Sequence, residues 1–344
     1  MSSEERMAIL RLLEQGKITA QEAERLLRAL SGPSRSDGPR LDDLGRHIGQ
    51  AMQEAGRAIS EAVGSARRSA AGRAVGDLFD DVVSEFSGSA EEVEETRDWT
   101  LEAAGVSQLR ADTSNGAIAV EGADLEEIQI RAIKRVKART RQQAEECAAQ
   151  VGVHAQREGD TVRLWEERPR NLTGIRVEVR YQVRCPRQLA LRLNTLNGAI
   201  STQGTRAGVE ATTLNGSVEV RQSEGQMKLQ SKNGKVAAHL DLLVGRGEFE
   251  TANGKVEVVV RAGQGSIEAK TLNGAVELSL PADFAGRLDA STVHGQVHSE
   301  FPIPVVGKPD KARLEGDIGP GGDHLVRLRT LNGAISLKHS LPAA

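Results

Sequence analysis

Thr213-Leu214-Asn215-Gly216-Ser217-Val218 is one copy of a six-residue phrase that returns along this chain. Each copy has Ser or Thr, any residue, Asn, Gly, any residue, and then Val or Ile, with His replacing Asn once. The copies centre on Asn115, Asn197, Asn215, Asn233, Asn253, Asn273, His294 and Asn332. From Asn197 to His294 the spacings are 18, 18, 20, 20 and 21 residues, and the last gap is 38. A period near 20 residues predicts a solenoid, in which each repeat forms one coil.

The alternation of side chains within one copy indicates how a coil is built. With Asn215 at position zero, Val209, Ala211 and Thr213 share one face of an extended segment. After the Asn, the apolar positions become Val218 and Val220, so the inward parity changes. This change predicts a bend at Asn-Gly, because both residues tolerate the left-handed backbone region. We expect the Asn side chains to face inward and to form a ladder of amide hydrogen bonds from coil to coil.

A β-hairpin is the alternative interpretation, since Asn-Gly between apolar runs is the strongest two-residue hairpin signal. The same motif at a fixed period favours stacked coils over an array of hairpins. A second glycine, eight residues before the Asn position, adds another corner to four repeats, at Gly225, Gly245, Gly265 and Gly286. The sequence therefore predicts a mostly β protein, a narrow parallel β-solenoid with coils of about 20 residues.

The rest of the chain divides around this solenoid. Residues 1–30 have helical spacing and predict a helical hairpin, and residues 31–97 predict a linker with an amphipathic Gly/Ala-rich helix. Residues 98–344 form the predicted β-solenoid domain. Within it, a β-α-β-β insertion at about 124–185 separates Asn115 from the next copy, and we expect it to cap the first coil.

Residues 41–86 within the linker region leave two interpretations open. Their thin apolar stripe fits a helix that lies on a membrane or pairs with a partner helix. Their repeated glycines fit a marginal helix that is partly disordered, since each glycine costs about 1 kcal/mol. We expect residues 1–86 to mediate self-association or docking to a protein partner, with peripheral membrane contact as a further option.

Composition restricts the function classes. A net charge of −3, two Trp, one Tyr and five Phe give neither a bulk attraction to nucleic acid nor a stacking platform for single strands. The amino terminus lacks the order of a signal peptide, and no run of 18 apolar residues occurs, which predicts a cytoplasmic protein. Cys147 and Cys185 are interpreted as buried small side chains rather than a redox pair.

The coils resemble a known family. The Asn-Gly phrase is similar to that of the bacterial putative-adhesin family with β-strand repeats, a domain of unknown function in YvlB- and LiaX-like proteins. The segment from Glu4 to Leu27 looks like the helical hairpin module that often precedes that domain. The resemblance implies a right-handed β-helix-like fold and a link to envelope stress or surface interaction. It implies no catalytic residue, and the helix at 41–86 departs from the shared pattern.

Glu219, Glu257 and Glu277 occupy the same repeat position and form an outward stripe of carboxylates. Paired carboxylates serve glycoside hydrolysis, which leaves a glycan-active β-helix enzyme as one alternative. Glu interleaved with Lys is more simply a solvated face with ion pairs between coils. His294 and His298 straddle a bend and offer too few ligands for a metal site. We therefore predict no catalytic, cofactor-binding or metal-binding residues.

The sequence thus favours a non-catalytic interaction or scaffold protein, adhesin-like or linked to envelope stress. A self-assembling scaffold like the filament-forming bactofilins is the first alternative, and the glycan-active enzyme is the second. End coils distinguish the first two, since an exposed apolar coil favours filaments and a covered one favours discrete particles.

Overall fold

A computed structural model describes residues 91–169, 172, 174–303 and 311–340 of this chain. The predicted helical hairpin and the helix at 41–86 lie outside the described residues. Within the described ranges the chain forms strands that join one sheet, together with a single helix, α1 (Arg141–Gln150). The prediction of a mostly β, solenoid-like fold is confirmed for this part of the chain. Helix α1 is neither long nor apolar enough to cross a membrane.

The coils consist of paired segments before and after each Asn-Gly. Their strands are β2 (Gln108–Asn115), β3 (Ile118–Ala123), β8 (Ala190–Asn197), β9 (Ile200–Gln203), β10 (Val209–Asn215), β11 (Val218–Asn233), β12 (Val236–Asn253), β13 (Val256–Val260), β14 (Gly263–Asn273), β15 (Val276–Leu280), β16 (Gly286–His294), β17 (Val297–Ser299), β19 (Leu325–Asn332) and β20 (Ile335–His339). Strands of neighbouring coils pair in parallel with like positions aligned, as in Thr213 with Thr195 and Asn215 with Asn197. Strand β10 pairs with β8 and β11 of neighbouring coils, as a solenoid requires.

The core of each coil is a narrow column of small and branched side chains. Val209, Ala211, Val218 and Val220 of one repeat are all at most 3% exposed. Burial of such a side chain contributes roughly 1.5–3 kcal/mol, so the repeated apolar positions supply the main driving force for stacking.

The Asn side chains lie at the surface, and the prediction that they face inward is wrong. In the repeat of Asn215, Thr213 is buried, Leu214 is partly buried and Asn215 is exposed. The pairing with the next coil passes from Thr213 to Asn215 and omits Leu214, so the strand parity changes before the Asn. The buried polar position is therefore the Ser or Thr two residues earlier.

The glycine after the Asn is required by close contact, and the expected left-handed bend is wrong at most copies. Among the motif residues described, only Gly116 and Gly274 have a positive φ, at 142° and 155°. A Cβ added to Gly234 would lie 2.0 Å from the carbonyl oxygen of Gly216 in the preceding coil. A Cβ added to any of the other motif glycines would lie 1.9 to 2.1 Å from a carbonyl oxygen of the neighbouring coil or strand. No residue but glycine fits this column.

The last coil in sequence is not the last coil in space. Strand β19 pairs with β14 on one side and with β16 on the other, so Thr330 lies between Thr271 and Thr292. The coil of Asn332 is thus inserted between those of Asn273 and His294. Strand β18 (Arg313–Ile318) then pairs antiparallel with β16 on its outer side.

The amino-terminal end of the stack is covered by strands of the insertion. These are β4 (Glu127–Ala138), β5 (Gly152–Glu158), β6 (Thr161–Glu167) and β7 (Arg176–Pro186). Strands β6 and β7 pair in parallel with β2 and β3, β5 pairs antiparallel with β6, and β4 pairs antiparallel with β7. The insertion contains one strand more than the predicted β-α-β-β unit, because β5 and β6 form a hairpin.

Strand β1 (Glu91–Glu102) corrects the prediction of a linker over residues 31–97 at its carboxyl end. It pairs antiparallel with β4 along its whole length. The pairing places its acidic side chains beside a run of basic residues on β4, as in Arg131 with Asp98 at 2.8 Å and Lys137 with Glu92 at 2.8 Å. Alternating charge explains why an exposed strand is retained at this edge.

Lys134 fixes helix α1 to the sheet. Its ammonium group donates to the carbonyl oxygens of Ala148 at 2.5 Å and Val151 at 3.0 Å, and it contacts Glu95 of β1 at 2.8 Å. The side chain is nearly buried, so its charge is compensated by the free carbonyls at the end of the helix.

Replacing Lys134 with Met is expected to lower the free energy of unfolding by about 2–3 kcal/mol, since buried carbonyl groups lose their donor. Lys137→Met on the same strand removes only an exposed ion pair and is expected to cost less than about 1 kcal/mol. Urea unfolding of both variants provides the comparison. Equal losses would show that Lys134 contributes no more than a surface charge.

Replacing Gly234 with Ala is expected to cost about 3 kcal/mol or more, because the new methyl group overlaps a backbone carbonyl. Gly159→Ala is the control, since that glycine has open space around it and only an unfavourable φ of 67°. The control is expected to cost about 1–2 kcal/mol. A Gly234→Ala protein as stable as the control would contradict the close stacking of the coils.

Candidate functional site

The Asn side chains form a continuous ladder along the outside of the stack. From Asn197 onward, each Nδ2 donates to the Oδ1 of the Asn in the preceding coil at 2.7 or 2.8 Å. The chain of bonds runs through Asn115, Asn197, Asn215, Asn233, Asn253, Asn273 and Asn332. His294 aligns with Asn332 through the backbone and occupies the last position. The ladder residues predicted from sequence thus share one line on the surface.

Two further hydrogen bonds join each coil to the next at this corner. Thr251 Oγ1 donates to the carbonyl oxygen of Gly234 at 2.8 Å, and the Gly234 N–H donates to the carbonyl oxygen of Asn253 at 3.0 Å. The same pattern recurs at the other coils, with hydroxyl-to-carbonyl distances between 2.8 and 3.1 Å. The hydroxyl, N–H and carbonyl groups of the motif therefore form their hydrogen bonds with the neighbouring coils.

At the amino end of the ladder, other residues replace the missing coil. Thr113 Oγ1 donates to the carbonyl oxygen of Val179 at 3.2 Å, and the Ser114 N–H donates to Glu166 Oε1 at 2.7 Å. Glu166 also forms an ion pair with Arg168 at 2.7 Å, in which both side chains are at most 8% exposed. The end of the ladder is thus closed by a buried, compensated charge.

The stripe of carboxylates at one repeat position is neutralised by basic residues. Glu257 contacts Lys235 at 2.8 Å and Lys255 at 3.2 Å, and Lys255 also contacts Glu277 at 2.9 Å. The hydrogen bond from Lys235 holds the pKa of Glu257 below its usual range. Glu219 pairs with Arg221 at 2.6 Å. Each of these carboxylates therefore has a charged partner, which favours the ion-pair interpretation of the stripe.

Both cysteines are buried, and the described residues include no cluster of three or more metal-ligating side chains. Cys147 and Cys185 are both buried free thiols. Burial raises the pKa of Cys185 to about 12, so its thiol is protonated at neutral pH. His294 and His298 belong to no group of three or more metal-ligating side chains within the described residues.

A shallow groove of about 810 Å³ lies on the outer face of the sheet formed by β1, β4, β7, β3, β9 and β11. We call it the outer groove. Its lining side chains are mainly polar, and they occupy two rows across the strands. One row reads Asp98, Arg131, Gln182, Ala119, Ser201 and Glu219, and the other reads Thr100, Gln129, Arg184, Glu121, Gln203 and Arg221.

A smaller cavity of about 260 Å³ adjoins the outer groove, and Arg221 lines both. Gln222 at this junction has a φ of 47°, the only positive value for a residue other than glycine among those described. Its Oε1 accepts a hydrogen bond from Gln203 at 2.8 Å. The strained residue lies where β11 shifts its register against β12.

The outer groove has no periodic signature in the sequence. Half of its strands, β1, β4 and β7, lie outside the repeat, and β1 begins within the predicted linker of residues 31–97. One signal of the groove is present in the coils. Ala119 and Ser201 are small residues at the outward position that Glu219 and Glu257 occupy in other coils.

Replacing Asn233 with Leu is expected to lower the free energy of unfolding by about 1–2 kcal/mol, since the ladder loses the bonds to Asn215 and Asn253. Lys232→Leu, at the neighbouring exposed position, is the matched control with an expected change within about 0.5 kcal/mol. Thermal and urea unfolding measure both. Indistinguishable variants would mean that the ladder adds nothing to stability.

Comparisons with known proteins give two family matches. Residues 188–338 match the model of the Toastrack DUF4097 family, and residues 4–35 match that of a SHOCT-like domain. The first match spans the coils from Asn197 to Asn332 and confirms the family resemblance inferred from them. The second lies over the predicted amino-terminal module. A comparison with curated proteins finds no match.

Three solved structures are similar to this chain. A putative adhesin from Bacteroides fragilis NCTC 9343 has 13% identity and a TM-score of 0.42, covering 71% of this chain and 97% of its own. A putative cell adhesion protein from Clostridium sporogenes ATCC 15579 has 11% identity and a TM-score of 0.29, covering 72% and 100%. A putative lipid binding protein from Parabacteroides distasonis ATCC 8503 has 14% identity and a TM-score of 0.28, covering 71% and 96%.

Proposed function

Because residues 188–338 of this chain form a Toastrack domain of the DUF4097 family, we propose that the protein is a non-catalytic, adhesin-like interaction protein. Its β-solenoid is a rigid support, and recognition occurs on the outer groove. The amino-terminal residues 1–86 provide self-association or docking, to a protein partner or to a membrane surface.

This proposal is supported by the polar side chains of the coils, which are already bonded to neighbouring coils. The Asn, Thr and Gly groups of each coil bond to the neighbouring coil, and the outward carboxylates at Glu257 and Glu277 are paired with lysines. Groups committed to neighbours are poor candidates for nucleophiles or general bases. Half of the strands of the outer groove lack the repeat, and the composition of these strands is therefore free to serve a ligand.

A bactofilin-like filament would require the two ends of the stack to pair with each other. At the amino end, β1 presents exposed acidic side chains such as Glu91 and Glu94 at the sheet edge. At the other end, the antiparallel strand β18 covers β16. Charged and covered edges oppose end-to-end pairing, which supports discrete particles.

We expect right-handed crossovers between the parallel strands, as parallel connections almost always have. The cytoplasmic location stays a prediction that cell fractionation tests. A glycan-active enzyme stays the second alternative, with Glu219, Glu257 and Glu277 as its candidate residues.

Binding of the purified full-length chain to isolated bacterial cell envelopes tests the proposal. We expect saturable binding, no chemical change in the bound material by mass spectrometry, and uniform small particles in electron micrographs. Turnover of envelope glycans that is lost on replacing Glu219, Glu257 and Glu277 with Ala would establish the enzyme instead. Filaments would establish the scaffold, and absence of saturable binding would overturn the adhesin-like role.

A further inference from the structure

We propose that the outer groove, together with the adjoining cavity, binds a neutral oligosaccharide. This inference rests on the proposed recognition function and names the ligand class of the same surface. It follows from the shape of the groove, from its balanced charges and from the amides between them.

The shape fits a short chain of sugar units. The outer groove measures about 810 Å³, within the range of roughly 300–1,000 Å³ that is usual for small-ligand sites. The cavity of about 260 Å³ extends it past Arg221, so the site is elongated across the strands. The small side chains of Ala119 and Ser201 lie in the middle of one row and give the groove its depth.

Four arginine–carboxylate pairs line the combined site and balance its charge. They are Arg131 with Asp98 at 2.8 Å, Arg184 with Glu121 at 3.2 Å, Arg221 with Glu219 at 2.6 Å, and Arg261 with Asp241 at 3.2 Å. All eight side chains are between 38% and 61% exposed, so they are accessible to a ligand. An anionic ligand would compete with the carboxylates and a cationic one with the guanidinium groups.

Each pair retains hydrogen-bonding capacity for hydroxyl groups. A guanidinium has five N–H donors and a carboxylate about four acceptor positions, and an ion pair uses only some of them. Sugar hydroxyls both donate and accept, so adjacent hydroxyls match a planar group that offers donors beside acceptors. Arginine–carboxylate pairs that offer donors beside acceptors recur along the outer groove and the adjoining cavity.

Amide side chains complete the set between the ion pairs. Gln129, Gln182, Gln203 and Gln222 line the site, and an amide supplies two donors and one acceptor group. Ser201 adds an exposed hydroxyl. Trp99 borders the groove but packs against the core, so recognition of a ligand here depends on the polar side chains.

A peptide fits this floor less well. Extended peptides commonly bind by adding a strand to a free sheet edge. The floor strands β4, β7, β3 and β9 each pair with neighbours on both sides, so their backbone groups are occupied. A peptide lying on these strands would depend on side-chain contacts alone, and the free edge of β1 at the margin of the groove carries exposed acidic side chains such as Glu94.

Saturation-transfer NMR and titration calorimetry on the full-length chain test the inference. The probes are neutral hexasaccharides of glucose, mannose, xylose and N-acetylglucosamine, an acidic hexagalacturonate, and an uncharged Ser/Gly-rich decapeptide. We expect at least one neutral hexasaccharide to bind more tightly than the acidic sugar and the peptide.

The matched variants are Ser201→Tyr and Ser336→Tyr. Both serines follow their Asn by four residues and face outward, but Ser336 lies far along the stack from the outer groove. Ser201→Tyr fills the groove and is expected to weaken neutral-sugar binding at least tenfold, while Ser336→Tyr changes it less than twofold. Thermal unfolding of both variants verifies that they fold.

The outcomes separate this inference from the proposed function. Neutral-sugar binding that Ser201→Tyr leaves intact, tighter binding of the acidic sugar or the peptide, or no binding at millimolar concentration each overturns the neutral-glycan inference. If Ser201→Tyr still weakens binding to cell envelopes in those cases, the adhesin-like role of the groove stands with a different ligand. If the unaltered chain shows no saturable binding to cell envelopes, the proposed function itself is overturned.

Discussion

The contact between glycines of successive coils is the constraint on which this structure depends. At Gly216 and Gly234 the backbones approach so closely that a single methyl group has no space. This approach brings the hydroxyl of the preceding Ser or Thr within reach of the glycine carbonyl, and it aligns the Asn amides outside. The side-chain and backbone bonds at this corner therefore depend on one missing side chain.

A solenoid built in this way must terminate its hydrogen bonds at both ends, and this chain does so by different means. At the amino end, Val179 supplies the carbonyl that a preceding glycine would offer, and Glu166 with Arg168 closes the polar corner. At the other end, the chain inserts its last coil one place inward and adds the antiparallel strand β18. The amino end thus satisfies its polar groups, and the other end presents a short edge strand with the charged side chains Arg313 and Glu315, which opposes association.

Repeating and non-repeating parts of the chain serve different purposes. A residue used in the same way in every coil contributes to stacking, and its exposed ladder is already bonded along its length. The outward pattern changes beside the capping strands, where Ala119 lies next to Gln182 and Ser201 lies next to Ala119. Other coils carry ion-paired Glu at this position, as in Glu219 and Glu257. A polar groove arises at this junction, and the combination of balanced ion pairs and amides there is the basis of our proposal.

The sequence by itself determined the coil. Its period, the alternation of Val209, Ala211 and Thr213, and the recurring Asn-Gly predicted a mostly β solenoid and the residues of the amide ladder, because local periodicity reports which side chains share a face. Only the tertiary structure decided that Asn215 lies outside, that the glycine is selected by contact, and that the coil of Asn332 precedes that of His294. The same holds for β1 and the outer groove, which join strands distant in sequence. Such features depend on which strands become neighbours, and pairing between distant segments leaves no periodic signal in the chain.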